Sequence, residues 1–196
     1  MQEIYSENTS EYQVKVWQCP DEWDTLKPIE KQNQQKEFIA KKIKTIFSDM
    51  VFISYNSNGK PELSQKEPTI SLPNISISHS HNYYAIIIHE KYAGIDIEKQ
   101  REQLHKIKNR FLHSEEFQLV GASLPDLCKA WTIKEAVYKT IGKENISLKD
   151  NIRILSNLNH SFIQAKIMFE TQEKYFQLKS IPINDFILSH VVKEIK

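Results

Sequence analysis

With 196 residues, 40% hydrophobic and 26% charged, the chain is long enough to bury a real core, as one domain or two small halves. A formal net charge of +1 excludes any global pull toward nucleic acid or an anionic membrane, so an anion site must be local. No apolar run approaches the ~20 residues of a membrane span, the N-terminal Met1 to Glu7 lacks the regions of a signal peptide, and Cys19 and Cys128 have neither metal nor disulfide spacing, so a cytoplasmic protein is expected.

Tyr12–Trp17 alternates and predicts a strand. Pro28–Phe47 predicts a helix whose apolar stripe includes Ile29, Phe38, Ile39, Ile43 and Ile46. Val51–Tyr55 reads as a strand, and Asn58-Gly59 before Lys60-Pro61 marks a turn. Asn74–Ser80 and Tyr83–His89 read as strands joined tightly near His81-Asn82. Gly94 opens a short strand to Glu98. Helical stretches follow around Leu104–Val120 and Asp126–Ile141, with a polar break at Gly121 and a C′ glycine at Gly142. Strands return at Ile152–Leu155, Phe162–Phe169, Tyr175–Ile181 and Phe186–Val192. A helix with an antiparallel meander thus occurs once before Gly94 and once after it, an α+β pattern. Without a linker between them, residues 1–93 and 94–196 are expected to pack as one unit.

Two acidic segments carry the chemistry. In Gly94-Ile-Asp-Ile-Glu98, a strand buries Ile95 and Ile97 and turns Asp96 and Glu98 to the other face. In Trp131-Thr-Ile-Lys-Glu-Ala-Val-Tyr-Lys139, a helix stacks Trp131, Glu135 and Lys139 at i, i+4, i+8. If strand and helix meet, Asp96, Glu98 and Glu135 converge. Three carboxylates repel one another unless a divalent cation lies between them, which suits magnesium and a phosphate-bearing substrate. Taken singly, each segment also has a plainer reading: a strand-end aspartate facing water, a surface Glu–Lys pair, a core tryptophan. Ser78-His79-Ser80 offers hydroxyls, backbone N–H groups and an imidazole in one bend, a pyrophosphate cradle or an ordinary turn.

The G-I-D-I-E stretch followed by W-x-x-K-E-A-x-x-K resembles the signature pair of the 4′-phosphopantetheinyl transferases, and Ser78-His79-Ser80 resembles the S-H-S motif of their large, surfactin-synthetase-activating class. The resemblance implies two similar α+β halves about a pseudo-twofold axis, the active site between them and the acidic motifs in the second. It also implies Mg2+ on Asp96, Glu98 and Glu135. Ser78 and His79 would lie against a phosphate of coenzyme A, Lys139 at the coenzyme A end, and Lys60, in a G-K-P turn, near the nucleotide. The basic residues that this family uses for the 3′-phosphate fall on Lys31 and Lys36, although lysines and Lys36-Glu37-Phe38 replace its usual R-x-E-x-x-x-x-R. Arg110-Phe111-Leu112-His113-Ser114-Glu115-Glu116 resembles its R-F-F-S-x-x-E stretch and implies Glu116 as general base, with Glu115 one residue away.

The implied activity is transfer of the 4′-phosphopantetheine arm of coenzyme A to a serine of an acyl or peptidyl carrier protein. His79 and Lys139 assist, and the enzyme is a monomer without a nucleic-acid or membrane partner. A magnesium-dependent phosphodiesterase or nuclease, and an inactive carrier-binding module, are the alternatives.

Overall fold

Strands on the two sides of Gly94 enter different sheets. The structure, a computed structural model, describes residues 1–66, 71–143 and 145–196. In chain order these form β1 (Gln2–Asn8), β2 (Tyr12–Gln18), helix α1 (Pro28–Ile46), a hairpin of β3 (Val51–Tyr55) and β4 (Pro61–Gln65), β5 (Asn74–Ser80) and β6 (Tyr83–His89). Then follow β7 (Ile95–Lys99), α2 (Gln103–Phe111), α3 (Phe117–Val120), α4 (Leu124–Ile141), β8 (Ile152–Ile154), β9 (Ile163–Phe169), β10 (Gln172–Ile183) and β11 (Phe186–Ile195). The first sheet has the order β1-β2-β6-β5 and the second β7-β11-β10-β9-β8. All described pairings are antiparallel, so the protein is α+β, with four described α-helices. Among the described residues no helix is long and apolar enough to cross a membrane.

Period-two alternation explains the layering. Central strand β6 is apolar on both faces, and all seven of its residues are buried. Tyr84, Ile86 and Ile88 meet Phe38, Ile39 and Ile43 of α1. Tyr83, Ala85 and Ile87 point the other way, into a core shared with Val14, Val16, Ile95, Ile97 and Leu188. On the far side of the second sheet, Leu127, Ala130, Ile133 and Val137 of α4 pack against Ile163, Phe176 and Leu178. The packing order is therefore α1, first sheet, second sheet, α4.

Two expectations change. The helical stretch around Leu104–Val120 is interrupted: Leu112 is extended, and the Glu116 carboxylate accepts the His113 N–H at 2.7 Å to start a new turn. Ile29, expected in the apolar stripe of α1, is 74% exposed, and Phe38, Ile39 and Ile43 bury the helix. Strands β1 and β4 add to the sequence reading. Both are polar edge strands with weak alternation.

Gly94 sets how closely β7 approaches α4. A Cβ there would lie 1.9 Å from Thr140 Oγ1 and 2.2 Å from the backbone oxygen of Ala136. The helix backbone cannot yield as a side chain can, so Gly94→Ala is expected to destabilise by roughly 3 kcal/mol, at the upper end of overpacking costs. In a thermal melt the midpoint should fall by about 6–12 °C. An unchanged midpoint would mean that β7 and α4 stand further apart.

Candidate active site

A turn from the first half reaches the end of the acidic helix. Asn56 Oδ1 accepts the N–H groups of Asn58 and Lys60 at 3.0 Å each, and Gly59 supplies the positive φ of 74°. The turn thereby delivers Lys60 to the C-terminus of α4, where Nζ donates to Thr140 O at 2.9 Å. Clefts open on both sides of this turn and share Gly59, Pro61 and Ile77. The larger, about 540 Å3, lies between α1 and β5 and is lined by Lys36, Ile39, His79 and Tyr84 among others. The smaller, about 220 Å3, is lined by Lys60, Tyr138, Lys139 and Lys143.

Beside the smaller cleft, strand β7 and helix α4 meet as the acidic motifs require. Asp96 is 3% exposed, between Ile95 and Ile97 in the core. Its Oδ1 accepts from Ser78 Oγ and from Lys139 Nζ, both at 2.7 Å. Its buried Oδ2 has no hydrogen-bond partner among the described residues. Glu98 Oε2 accepts from Ser80 Oγ at 2.9 Å and from Arg101 Nη2 at 3.3 Å. Burial and then the Asp96 charge push the Glu98 carboxyl above its usual range. Glu135, half-buried on α4, is pushed up to about 7 by burial, then by Asp96, with Lys139 opposing and Glu98 adding.

The three carboxylates thus feel one another. Among the described residues, however, no group of three or more His, Cys, Asp or Glu side chains is spaced to hold a metal ion. Lys139 provides the local counter-charge on Asp96. Magnesium takes one or two carboxylates plus waters and phosphate oxygens, so a closed cage is not required. An orphaned buried Oδ2 amid hard, mutually repelling oxygen donors fits such a cation.

A pH dependence follows. Glu135 titrates at about 7 when folded and near its ordinary 4.5 when unfolded, so between these values the native state binds more protons. Its contribution to stability is complete below about 4.5 and is lost as pH rises through about 7. Thermal melts in a chelator should show stability falling across that window, and Glu135→Gln should flatten the fall. A rising slope that belongs to Glu135 would contradict this electrostatic picture.

His79 faces the larger cleft, its ring stacked on Tyr84 at 5.6 Å and 9°. Desolvation, then the Lys139 and Lys31 charges, hold its pKa below the usual value. Lys36 lines the same cleft from α1, and Lys31 is near enough for its charge to reach His79. The serine hydroxyls of Ser78-His79-Ser80 turn inward to Asp96 and Glu98, so the imidazole faces the cleft and the hydroxyls do not form a cradle in it. Trp131 packs edge-on to Phe111 at 5.1 Å and also lines a small cleft beside Glu98.

Glu116 stands apart from these groups. It is 1% exposed, its Oε2 accepts from His113 N and Lys134 Nζ at 2.7 Å each, and its Oε1 accepts from Ile154 N at 2.8 Å. Lys134 is 0% exposed and donates also to Leu148 O and Ile152 O. Burial pushes its ammonium down, with the Glu116 charge and hydrogen bond opposing. Both Glu116 oxygens are hydrogen-bonded and closed to solvent, unlike the free carboxylate expected of a proton-accepting glutamate at this position. The sequence signal was available: Lys134 lies on the helix face of Ala130, Ile133 and Val137, where a lysine needs a buried partner.

A protein-family model described as the 4′-phosphopantetheinyl transferase superfamily matches residues 92–190, just over half of the chain. No curated protein sequence matches the chain. The family match contains Asp96, Glu98, Glu135 and Lys139, whereas Lys36, Lys60 and His79 reach the site from outside it. Through this match, which spans β7, α4 and most of the second sheet, the chain belongs to the 4′-phosphopantetheinyl transferase superfamily.

Proposed function

We propose that the protein transfers the 4′-phosphopantetheine arm of coenzyme A to a serine of an acyl or peptidyl carrier protein, as a holo-carrier synthase of the large class. The observation that carries this reading is the meeting of Asp96, Glu135 and Lys139 beside a cleft lined by Lys60 and Lys139, next to a larger cleft lined by Lys36 and His79. Family membership supports phosphopantetheine transfer in general and does not favour the phosphodiesterase alternative.

In this reading the serine oxygen attacks the β-phosphorus of the coenzyme A pyrophosphate. The bond to the bridging oxygen breaks, and adenosine 3′,5′-bisphosphate leaves. Asp96, Glu98 and Glu135 would hold a divalent cation, which supplies neutralisation of the pyrophosphate and of charge on the leaving group when bound. His79 donates an N–H to a phosphate oxygen. Lys139 and Lys60 add positive charge along the smaller cleft, and Lys31 and Lys36 meet the nucleotide phosphate near α1. Glu116 is structural, and the serine proton passes to solvent water or a phosphate oxygen. The two halves, each a sheet with a packed helix, are related by a pseudo-twofold axis in this reading, and the protein acts as a monomer.

Coenzyme A is expected to raise the melting temperature, by about 2.7 kcal/mol of added stability at a hundredfold excess over Kd. Magnesium should enhance the shift, and His79→Ala should reduce it by removing a phosphate contact. Differential scanning fluorimetry reads this directly. A midpoint unmoved by millimolar coenzyme A would overturn the substrate assignment.

A further inference from the structure

β5 and β7 are the edges of their sheets, and three serines join them. Ser76, Ser78 and Ser80 lie on one face of β5 and accept the N–H groups of Ile95, Ile97 and Lys99 at 3.4, 3.2 and 3.3 Å. A backbone carbonyl in their place could only accept. A hydroxyl that accepts from the backbone still has a proton to donate. Ser78 gives that proton to Asp96 Oδ1 at 2.7 Å, and Ser80 gives it to Glu98 Oε2 at 2.9 Å. Ser76 meets no carboxylate among the described residues.

We propose that Ser78 and Ser80 are positioning residues, which fix the orientation of the Asp96 and Glu98 carboxylates from the junction of the two sheets. The inference rests on the transferase reading for the identity of the cation. Ser78 uses its full capacity: one proton to Asp96, and lone pairs for Ile97 N–H and Lys139 Nζ, the latter at 3.0 Å. With Oδ1 of Asp96 held from two sides, Oδ2 is the oxygen left for a ligand. Without the Ser80 hydroxyl, Glu98 Oε2 keeps, among the described residues, only the solvent-facing Arg101 contact at 3.3 Å. The serines also couple the metal site to fold integrity, because the same hydroxyls seal the open edge of β7.

The three positions form an internal control. Ser76→Ala, Ser78→Ala and Ser80→Ala each remove one acceptor for a β7 N–H, but only the latter two release a carboxylate. The Mg2+ concentration giving half the maximal thermal stabilisation, with coenzyme A saturating and no carrier present, reads cation binding without turnover. Ser78→Ala and Ser80→Ala should require about 10-fold more Mg2+, the usual range for losing an outer partner of a metal ligand, and Ser76→Ala should stay within about twofold. Ser80→Thr, which keeps a hydroxyl, should restore the midpoint, and it carries the comparison if Ser78→Ala does not fold. Equal shifts in all three alanine variants, unshifted midpoints in Ser78→Ala and Ser80→Ala, or no response of the wild type to Mg2+ would overturn the proposal. A wild type that responds to Mg2+ but modifies no carrier would sink the transferase reading and leave the positioning comparison standing.

Discussion

Asp96→Ala is expected to lower phosphopantetheine transfer by about 10³-fold or more, because a bound cation contributes several kcal/mol and each 1.4 kcal/mol is tenfold in rate. The fold should survive. Asp96 raises the pKa of both Glu98 and Glu135, so its removal relieves repulsion in the metal-free protein. Lys139 then keeps Ser78 as a hydrogen-bond partner and reaches solvent from its half-buried position. Steady-state rates at saturating Mg2+, paired with a melt in a chelator, separate the two effects. Near-normal turnover would remove the carboxylate site from the mechanism.

Glu116→Ala should behave in the opposite way, with the loss in stability rather than in chemistry. It leaves the Lys134 ammonium, fully buried, with two carbonyls and no counter-charge, and it also frees the N–H groups of His113 and Ile154. Breaking a buried ion pair from one side costs about 3–5 kcal/mol. A chain of this length should then melt on the order of 10 °C lower, and urea denaturation should show a lower midpoint. Glu115→Gln should be nearly silent, since Glu115 is exposed and its side chain meets only the ring of His113 among the described residues. A Glu116 variant with unchanged stability and lost turnover would restore this residue to the chemistry.

Regular period-two strands were the most legible part of the chain. β5 and β6 have the boundaries that alternation predicts, because one strand alternates cleanly and the other is apolar on both faces. α4 was legible too, although it begins at Leu124, two residues before the expected start, where Ser123 caps it by accepting the Asp126 N–H. What the sequence concealed is tertiary. β1 and β4 are stabilised by their neighbours rather than by apolar patterning, so their polar sequences carry no strand signal. The buried partnership of Glu116 with Lys134 spans 18 residues and depends on α4 packing over the preceding turn. The serines of Asn74-Ile-Ser-Ile-Ser-His-Ser80 were visibly on one face, yet only the fold shows that the face meets the open edge of β7.

The central claim is a covalent transfer, so intact mass is its most direct test. The protein is incubated with coenzyme A, Mg2+ and a panel of apo-carrier proteins, with a carrier whose acceptor serine is replaced by alanine as control. The account predicts a mass gain of one phosphopantetheine on at least one carrier, absent with the alanine control and absent with the Asp96→Ala enzyme. Unmodified carriers throughout the panel, from a folded protein that binds coenzyme A, would contradict it.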